Sequence, residues 1–234
     1  MRMTPLDPGH TPVPATVRAL FAPDIAVALC DPRQPLGGLL GLESKGLGRM
    51  VDTRQREFTA GRFAARRAMA ELGVPPQPVL PGQDRAPVWP EGLVGSLSHC
   101  HRLCICALGR SPDVRALGVD VEPNTILEAE LLETVCTRSE CDWLYRQRDE
   151  TRGFLAKLLF SAKETAYKAQ YPLTGAILDY HDIAVLPDLP RGRFWAAFTR
   201  EVAMFEKGAE LEGRFVIEDG LILTAMTLRH GVSP

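Results

Sequence analysis

The sequence lacks a long apolar run, an excess of charge of one sign and the paired ligand spacing of a zinc site. No hydrophobic stretch approaches the roughly 20 residues needed to cross a bilayer, so we expect no membrane span. Lysine plus arginine number 27 and aspartate plus glutamate 29, which gives a formal net charge of −2. A chain this close to neutral lacks the broad basic surface of a nucleic-acid-binding protein, so we expect no nucleic-acid partner.

The first residues and the cysteines indicate a reducing compartment. Residues 1–14 are polar and proline-rich and lack the apolar centre of a secretion signal, so we expect a cytoplasmic protein. Six cysteines occur, and residues 99–106 combine three of them with two histidines. No second ligand pair follows at the usual zinc spacing, and the neighbouring residues are apolar. The pattern therefore favours small, reduced cysteines buried in β-strands over a zinc site.

Hydrophobic periodicity predicts an α+β fold. Residues 1–45 are rich in proline and glycine and contain one candidate strand, at 25–29. Helices are predicted at 47–72, 128–135, 139–147 and 150–170, with the last ending before Pro172. Strands are predicted at 93–97, 103–108, 116–121, 183–186, 193–199, 213–218 and 221–228. We expect two pseudo-symmetric lobes, 1–114 and 115–234, each a long helix packed on a mostly antiparallel sheet.

Two carboxylates occupy alternate positions of one predicted strand. Residues 118–123 read Gly-Val-Asp-Val-Glu-Pro, so Asp120 and Glu122 point to one face while Val119 and Val121 point to the other. Carboxylates placed side by side need a cation between them, and Mg²⁺ is typically held by such oxygens together with substrate phosphates. The alternative is a half-exposed strand that turns its acidic side chains to water.

The long helix of the second half presents one charged side. Lys157, Phe160, Glu164 and Lys168 follow i, i+3/i+4 spacing, with an apolar stripe opposite them. Glu164 can therefore supply a third carboxylate to a metal, and Lys168, one turn on, can meet a phosphate. The alternative is an exposed Glu–Lys pair, which contributes only a few tenths of a kcal/mol.

Five segments occur in an order that resembles the phosphopantetheinyl transferase superfamily. They are residues 54–62, 84–90, 95–100 (Gly-Ser-Leu-Ser-His-Cys), 118–122 and 160–168 (Phe-Ser-Ala-Lys-Glu-Thr-Ala-Tyr-Lys). The first two resemble the branch that includes enterobactin synthetase component D. The similarity covers residues 49–170. It implies an active site in a cleft between an N-terminal lobe that binds coenzyme A and a C-terminal lobe that holds the metal and faces the carrier protein.

The resemblance implies transfer of the 4′-phosphopantetheine arm of coenzyme A to a serine of an acyl, aryl or peptidyl carrier protein, with release of 3′,5′-ADP. It implies that Asp120, Glu122 and Glu164 hold Mg²⁺. It also implies that Glu164 removes the serine proton, either directly or through a metal-bound water, and that Lys168 neutralises charge on the phosphates. The expected catalytic residues are therefore Glu164, Lys168 and Asp120.

The resemblance further implies a set of contacts with coenzyme A. The residues expected to bind it are Arg54, Arg62, Arg85, Ser98, His99, Lys163 and Lys168. The arginines suit its phosphates because their planar forks match phosphate oxygens. A solvated basic helix face, which also includes Arg49 and Arg66, is the alternative. Lys163 lies about a quarter-turn from Glu164, where it either reaches the nucleotide or is solvated.

Two functions of other classes remain as alternatives. One is another metal-dependent phosphoryl-transfer enzyme, such as a nuclease, which the near-neutral charge disfavours. The other is a catalytically silent protein that binds coenzyme A or a carrier, which the intact carboxylates and Lys168 disfavour. We expect a monomer, and the resemblance to the enterobactin branch favours siderophore or other secondary metabolism as the pathway.

Overall fold

The computed structural model describes residues 9–45, 47 and 51–231. The strands in these residues are β1 His10–Thr11, β2 Ala26–Cys30, β3 Leu80–Pro81, β4 Pro87–Val88, β5 Leu93–His99, β6 Cys104–Arg110, β7 Val114–Pro123, β8 Ile183–Asp188, β9 Arg193–Phe198, β10 Glu210–Glu218 and β11 Leu221–Arg229. The α-helices are α1 Ala15–Arg18, α2 Asp52–Glu71, α3 Leu132–Val135, α4 Arg138–Leu144 and α5 Asp149–Thr174. This mixture of helices and antiparallel sheets confirms the α+β class.

The first sheet has the strand order β1-β2-β6-β5, with every neighbouring pair antiparallel. Helix α2 packs on one face of it through small residues such as Ala60, Ala64 and Ala68, which are fully buried. Cys104 and Cys106 lie in the same core, which confirms that they are buried strand residues. Burial raises the pKa of the Cys106 thiol well above its usual value, so this thiol stays neutral.

The second sheet has the order β7-β11-β10-β9-β8, also antiparallel throughout. Helix α5 covers one of its faces. The predicted apolar stripe of α5 is buried there, with Leu158, Leu159 and Ala162 at 1 % exposure or less. Because these residues recur at helical spacing, their burial turns the charged side of α5 toward one edge of the sheet.

The two sheets pack against each other through a shared apolar cluster. Val119 and Val121 of β7 lie in it together with Val27 and Leu29 of β2. Strand alternation then directs Asp120 to the opposite face, toward α5, where it is buried. The shared cluster therefore fixes which face of β7 carries the carboxylates.

Side-chain hydrogen bonds join the adjoining edges of the two sheets. Strand β5 is the last strand of the first sheet and β7 the first strand of the second. The Ser96 hydroxyl accepts the Val119 N–H at 3.1 Å, and the Ser98 hydroxyl accepts the Val121 N–H at 3.4 Å. Serines two residues apart on β5 therefore satisfy backbone donors that an edge strand would otherwise leave unpaired.

Helix α5 continues through Pro172, which corrects the predicted end before that residue. Proline removes one hydrogen bond, to the carbonyl of Lys168 four residues earlier, and this loss falls in the last turns of the helix. The helix instead ends at Thr174 and is capped by Gly175, whose φ of 65° is readily adopted by glycine and whose N–H donates to the Tyr171 carbonyl at 2.8 Å.

Other parts of the predicted organisation have mixed outcomes. Helix α2 begins at Asp52 rather than near residue 47, and Arg49 lies outside the described residues. Strand β6 ends at Arg110 and β7 begins at Val114, but the division into lobes 1–114 and 115–234 stays a prediction. Of the helices within the described ranges, none has the length and apolar character to span a membrane.

Candidate active site

A cavity of about 350 Å³ opens between β5, β7 and α5. Six of the predicted site residues line it, together with Leu97 and Phe160. They are Ser98, His99, Asp120, Glu122, Glu164 and Lys168. Residues from three elements that are distant in sequence thus meet at the edge where the two sheets join.

Asp120 is the most enclosed group of the cavity, with 3 % of the residue exposed. Its Oδ1 accepts hydrogen bonds from the Ser98 hydroxyl at 2.8 Å and from the Lys168 ammonium at 2.7 Å. Its Oδ2 accepts from the Ser161 hydroxyl at 2.8 Å. Burial of a carboxylate is unfavourable unless donors compensate it, and one cationic and two hydroxyl donors supply that compensation here. Ser161 belongs to the fifth motif, but sequence analysis predicted no role for it.

Gly118 allows α5 to approach β7 closely. A Cβ at this position would lie 2.1 Å from the Thr165 carbonyl oxygen, well inside any normal contact. Only glycine permits this spacing. Because Asp120 and Lys168 lie on these two elements, the absence of a side chain at Gly118 sets their separation. The motif contains this glycine, but its pattern alone does not reveal the reason for it.

Glu122 forms an ion pair with Lys157, in which Lys157 Nζ lies 2.6 Å from Glu122 Oε2. The Lys157 ammonium also lies 4.8 Å from the centre of the Phe160 ring. Burial raises the pKa of Glu122 above its ordinary value; the hydrogen bond from Lys157 opposes this rise, and repulsion by Asp120 adds to it. The half-buried Glu122 therefore depends on a nearby cation for its charge.

Glu164 receives a hydrogen bond from the Tyr180 hydroxyl, at 2.8 Å to Oε1. The Tyr180 ring lies 5.7 Å from that of Phe160, centre to centre. Burial and the Glu164 carboxylate raise the pKa of Tyr180 well above its ordinary value, so its hydroxyl remains a donor. Sequence analysis missed Tyr180 because it lies sixteen residues beyond Glu164, in a segment without a motif.

Arg54 forms a pair with His99, which lines the cavity. Arg54 Nη1 lies 3.0 Å from His99 Nε2 and 3.4 Å from Glu57 Oε2. Since arginine can only donate, His99 accepts through Nε2 and carries its proton on Nδ1. Burial lowers the pKa of His99; Glu57 opposes this, and Arg54 adds to it. The pair presents one permanent cation and one neutral ring.

Lys163 lies in the core, which contradicts both alternatives proposed for it. Its ammonium donates to the Val135 and Tyr180 carbonyls, each at 2.8 Å, and pairs with Glu140 at 2.7 Å. The side chain is 2 % exposed, and its three donors are occupied. Lys163 therefore links α5 to α4 and to the short turn Tyr180–Asp182 before β8, called the Tyr180 segment below. It has no donor left for a nucleotide.

The arginines of the first half occupy different environments. Arg62 is buried, with Nε donating to the Val79 carbonyl at 2.9 Å and its guanidinium 3.8 Å from the Phe58 ring centre. Burial lowers the pKa of Arg62 to about 10. Arg66 pairs at 3.0 Å with the buried Glu43 and so has a structural role. Arg85 is exposed in the turn between β3 and β4, with a φ of 69°. Arg54, Arg62 and Arg85 do not line the cavity, and for all three binding of coenzyme A stays a prediction.

The carboxylates of the cavity have the donor chemistry of a magnesium site. Asp120, Glu122 and Glu164 supply hard oxygen ligands from two facing elements. Among the described residues, no three histidine, cysteine, aspartate or glutamate side chains converge closely enough to hold an ion. Each carboxylate is instead held by its own partner, Lys168, Lys157 or Tyr180. The chemistry of the donor set, three carboxylates around one cavity, fits Mg²⁺.

Comparison with known proteins identifies the family. Residues 42–109 match the 4′-phosphopantetheinyl transferase N-terminal domain, and residues 116–219 match the 4′-phosphopantetheinyl transferase superfamily. The chain is 38% identical to 4′-phosphopantetheinyl transferase Svp of Streptomyces mobaraensis over 84% of this chain and 81% of that protein. It is 34% identical to PptT of Mycobacterium tuberculosis strain ATCC 25618 / H37Rv over 80% and 84%. For enterobactin synthase component D of Escherichia coli O157:H7, the identity is 37% over 56% and 62%. The sequence resemblance is thereby confirmed, and this chain belongs to the 4′-phosphopantetheinyl transferase superfamily.

Proposed function

We propose that this enzyme transfers the phosphopantetheine arm of coenzyme A to a serine of an acyl, aryl or peptidyl carrier protein and requires Mg²⁺. One observation carries the proposal. Asp120, Glu122, Glu164 and Lys168 line one cavity at the junction of the two sheets. Three carboxylates and a lysine around a cleft suit a metal-assisted transfer of a phosphoryl group.

The reaction exchanges one phosphorus–oxygen bond for another. The serine oxygen of the carrier forms a bond to the β-phosphorus of coenzyme A. The bond from that phosphorus to the bridging oxygen breaks, and 3′,5′-ADP leaves with the electron pair. The serine proton needs an acceptor, which we assign to Glu164. Tyr180 donates to Oε1 of Glu164 and so fixes the carboxylate, with Oε2 as the oxygen for the proton.

Lys168 supplies positive charge at the wall of the cavity. Its ammonium is anchored by Asp120 at 2.7 Å and by the Ser98 hydroxyl at 3.1 Å, while about a quarter of its side chain stays exposed. A cation fixed in this way needs little rearrangement to stabilise charge that develops on phosphate oxygens. Ser98 therefore acts by holding Lys168 and Asp120 as well as by lining the cavity.

Asp120, Glu122 and Glu164 would hold the Mg²⁺. When bound, Mg²⁺ would draw charge from the phosphoryl oxygens and stabilise the leaving group. For the rest of coenzyme A, Arg54 and His99 are the groups that we assign to its phosphates. The assignment is supported by the 3.0 Å contact of Arg54 with His99, which lines the cavity, and by the half-exposed Arg54 side chain.

The test is intact-protein mass spectrometry of apo carrier proteins incubated with this enzyme, coenzyme A and Mg²⁺. We expect a mass gain of one phosphopantetheine arm, which is lost with a chelator and in Glu164→Gln. Glu206→Gln, at an exposed position, is the matched control and should retain the gain. The panel includes acyl, aryl and peptidyl carriers. Among them, the likeness to enterobactin synthase component D favours a siderophore carrier.

Two outcomes would refute the proposal. Binding of coenzyme A without a mass gain on any carrier would indicate a silent binding protein. A mass gain that persists both with the chelator and in Glu164→Gln would show that the reaction needs neither the metal nor Glu164 as the base.

A further inference from the structure

Lys157 lies where a cation is needed beside Glu122. Its ammonium is 2.6 Å from Glu122 Oε2 and 4.8 Å from the Phe160 ring centre. The side chains of Lys157 and Glu122 are only 16% and 22% exposed, so water screens the pair incompletely. Helical spacing places Lys157 two turns before Glu164, on the side of α5 that faces the cavity.

The two carboxylates of β7 are compensated in different ways. Asp120 receives hydrogen bonds from the hydroxyls of Ser98 and Ser161 and from Lys168. Among the described residues, the ion-pair partner of Glu122 is Lys157. Removal of Lys157 would therefore leave a half-buried carboxylate beside another carboxylate, which is unfavourable unless a different cation replaces it.

A divalent cation at Glu122 and the ammonium of Lys157 cannot both occupy the same position. The ion must break a 2.6 Å ion pair and then repel the ammonium that it displaces. We propose that Lys157 is the internal counter-ion of Glu122 and competes with the divalent cation for that carboxylate. The proposal rests on the proposed function, because it presumes that Glu122 is a metal ligand.

The test is calorimetric titration of the full chain with Mn²⁺ alone, without coenzyme A or carrier. Lys157→Met keeps most of the aliphatic side chain but removes the ammonium, which contacts both Glu122 and the Phe160 ring. We expect it to bind Mn²⁺ about fivefold more tightly than the wild type, the effect expected for a partly screened ion pair. Lys157→Arg keeps the competing charge and should bind like the wild type. Lys207→Met, at an exposed position, should change nothing.

A double-mutant cycle locates the effect at Glu122. In a Glu122→Gln background, Lys157→Met should no longer increase the Mn²⁺ affinity, because the charge for which the two cations compete has gone. Melting temperatures give a second readout. Saturating Mn²⁺ should raise the melting temperature of Lys157→Met by more than that of the wild type.

Unchanged or weaker Mn²⁺ binding by Lys157→Met overturns the inference, as does the absence of binding in both proteins. The carrier assay separates this result from the proposed function. If the enzyme modifies its carrier but Lys157→Met leaves the Mn²⁺ affinity unchanged, the proposed function stands and the counter-ion proposal is wrong. If Lys157→Met increases the Mn²⁺ affinity fivefold but the protein transfers nothing, the counter-ion proposal stands and the proposed function is wrong.

Discussion

Gly118 offers the sharpest test of how the fold positions the site. In Gly118→Ala, the new Cβ would lie 2.1 Å from the Thr165 carbonyl oxygen and 3.1 Å from the Ala169 Cβ. Both neighbours belong to α5, and the first is a backbone atom that no change of rotamer can move. Helix α5 and strand β7 must therefore separate by about 1 Å to relieve the contact.

That separation has two costs of different kinds. Overpacking of a rigid core typically costs about 1–3 kcal/mol, and because a backbone atom must move we expect about 3 kcal/mol of lost stability. A misplacement of about 1 Å at a catalytic site can cost about a hundredfold in rate. The 2.7 Å contact between Lys168 and Asp120 bridges the two elements and would be stretched directly.

Urea unfolding and steady-state rates of phosphopantetheine transfer measure the two costs. Gly61→Ala is the matched control, since its Cβ would meet the Leu97 Cδ1 at an ordinary 3.7 Å. Because Gly61 lies inside α2, alanine there should stabilise the protein by about 0.5–1 kcal/mol and leave the rate unchanged. A Gly118→Ala protein with wild-type stability and rate would refute the argument that this glycine sets the spacing of α5 and β7.

Two further predictions concern Lys163 and His99. Lys163→Met should lower the free energy of unfolding by about 3 kcal/mol, because it leaves the buried Glu140 without its ion-pair partner. The control Lys207→Met should change the free energy of unfolding by no more than about 0.5 kcal/mol. Urea unfolding measures both, and a loss below about 1 kcal/mol for Lys163→Met would contradict the structural role. The pKa of His99 lies below its unfolded value of 6.5, so its contribution to stability is complete above pH 6.5 and is lost as the pH falls through the folded pKa. His99→Gln should therefore lose less stability than the wild type between pH 7 and pH 5, and equal losses in the two proteins would contradict the burial argument.

Local periodicity was sufficient for much of the site. Strand alternation predicted that Asp120 and Glu122 share a face, and the structure turns Val119 and Val121 into the core between the sheets. Helical spacing likewise predicted that Lys157, Glu164 and Lys168 share a side of α5. These features could be predicted because the direction of a side chain along one element depends only on the repeat of that element.

The direction of a neighbouring side chain could not be predicted when packing decided it. Lys163 directly precedes Glu164, and sequence analysis placed it at the nucleotide or in water. The structure buries it against Glu140 of α4 because α4 and the Tyr180 segment cover that side of α5. The pattern of α5 does not record which elements cover it, so this error could not be avoided from the sequence.

The sequence by itself determined the family, through the order of its five motifs, and the α+β class and the shared faces of β7 and α5, through the repeat of each element. The tertiary structure alone decided the partners of those residues. Tyr180 holds Glu164, Lys157 holds Glu122, and Gly118 admits α5 against β7. Contacts across 16, 35 and 47 positions depend on how the helices and sheets pack, and packing is a property of the whole fold rather than of any single segment.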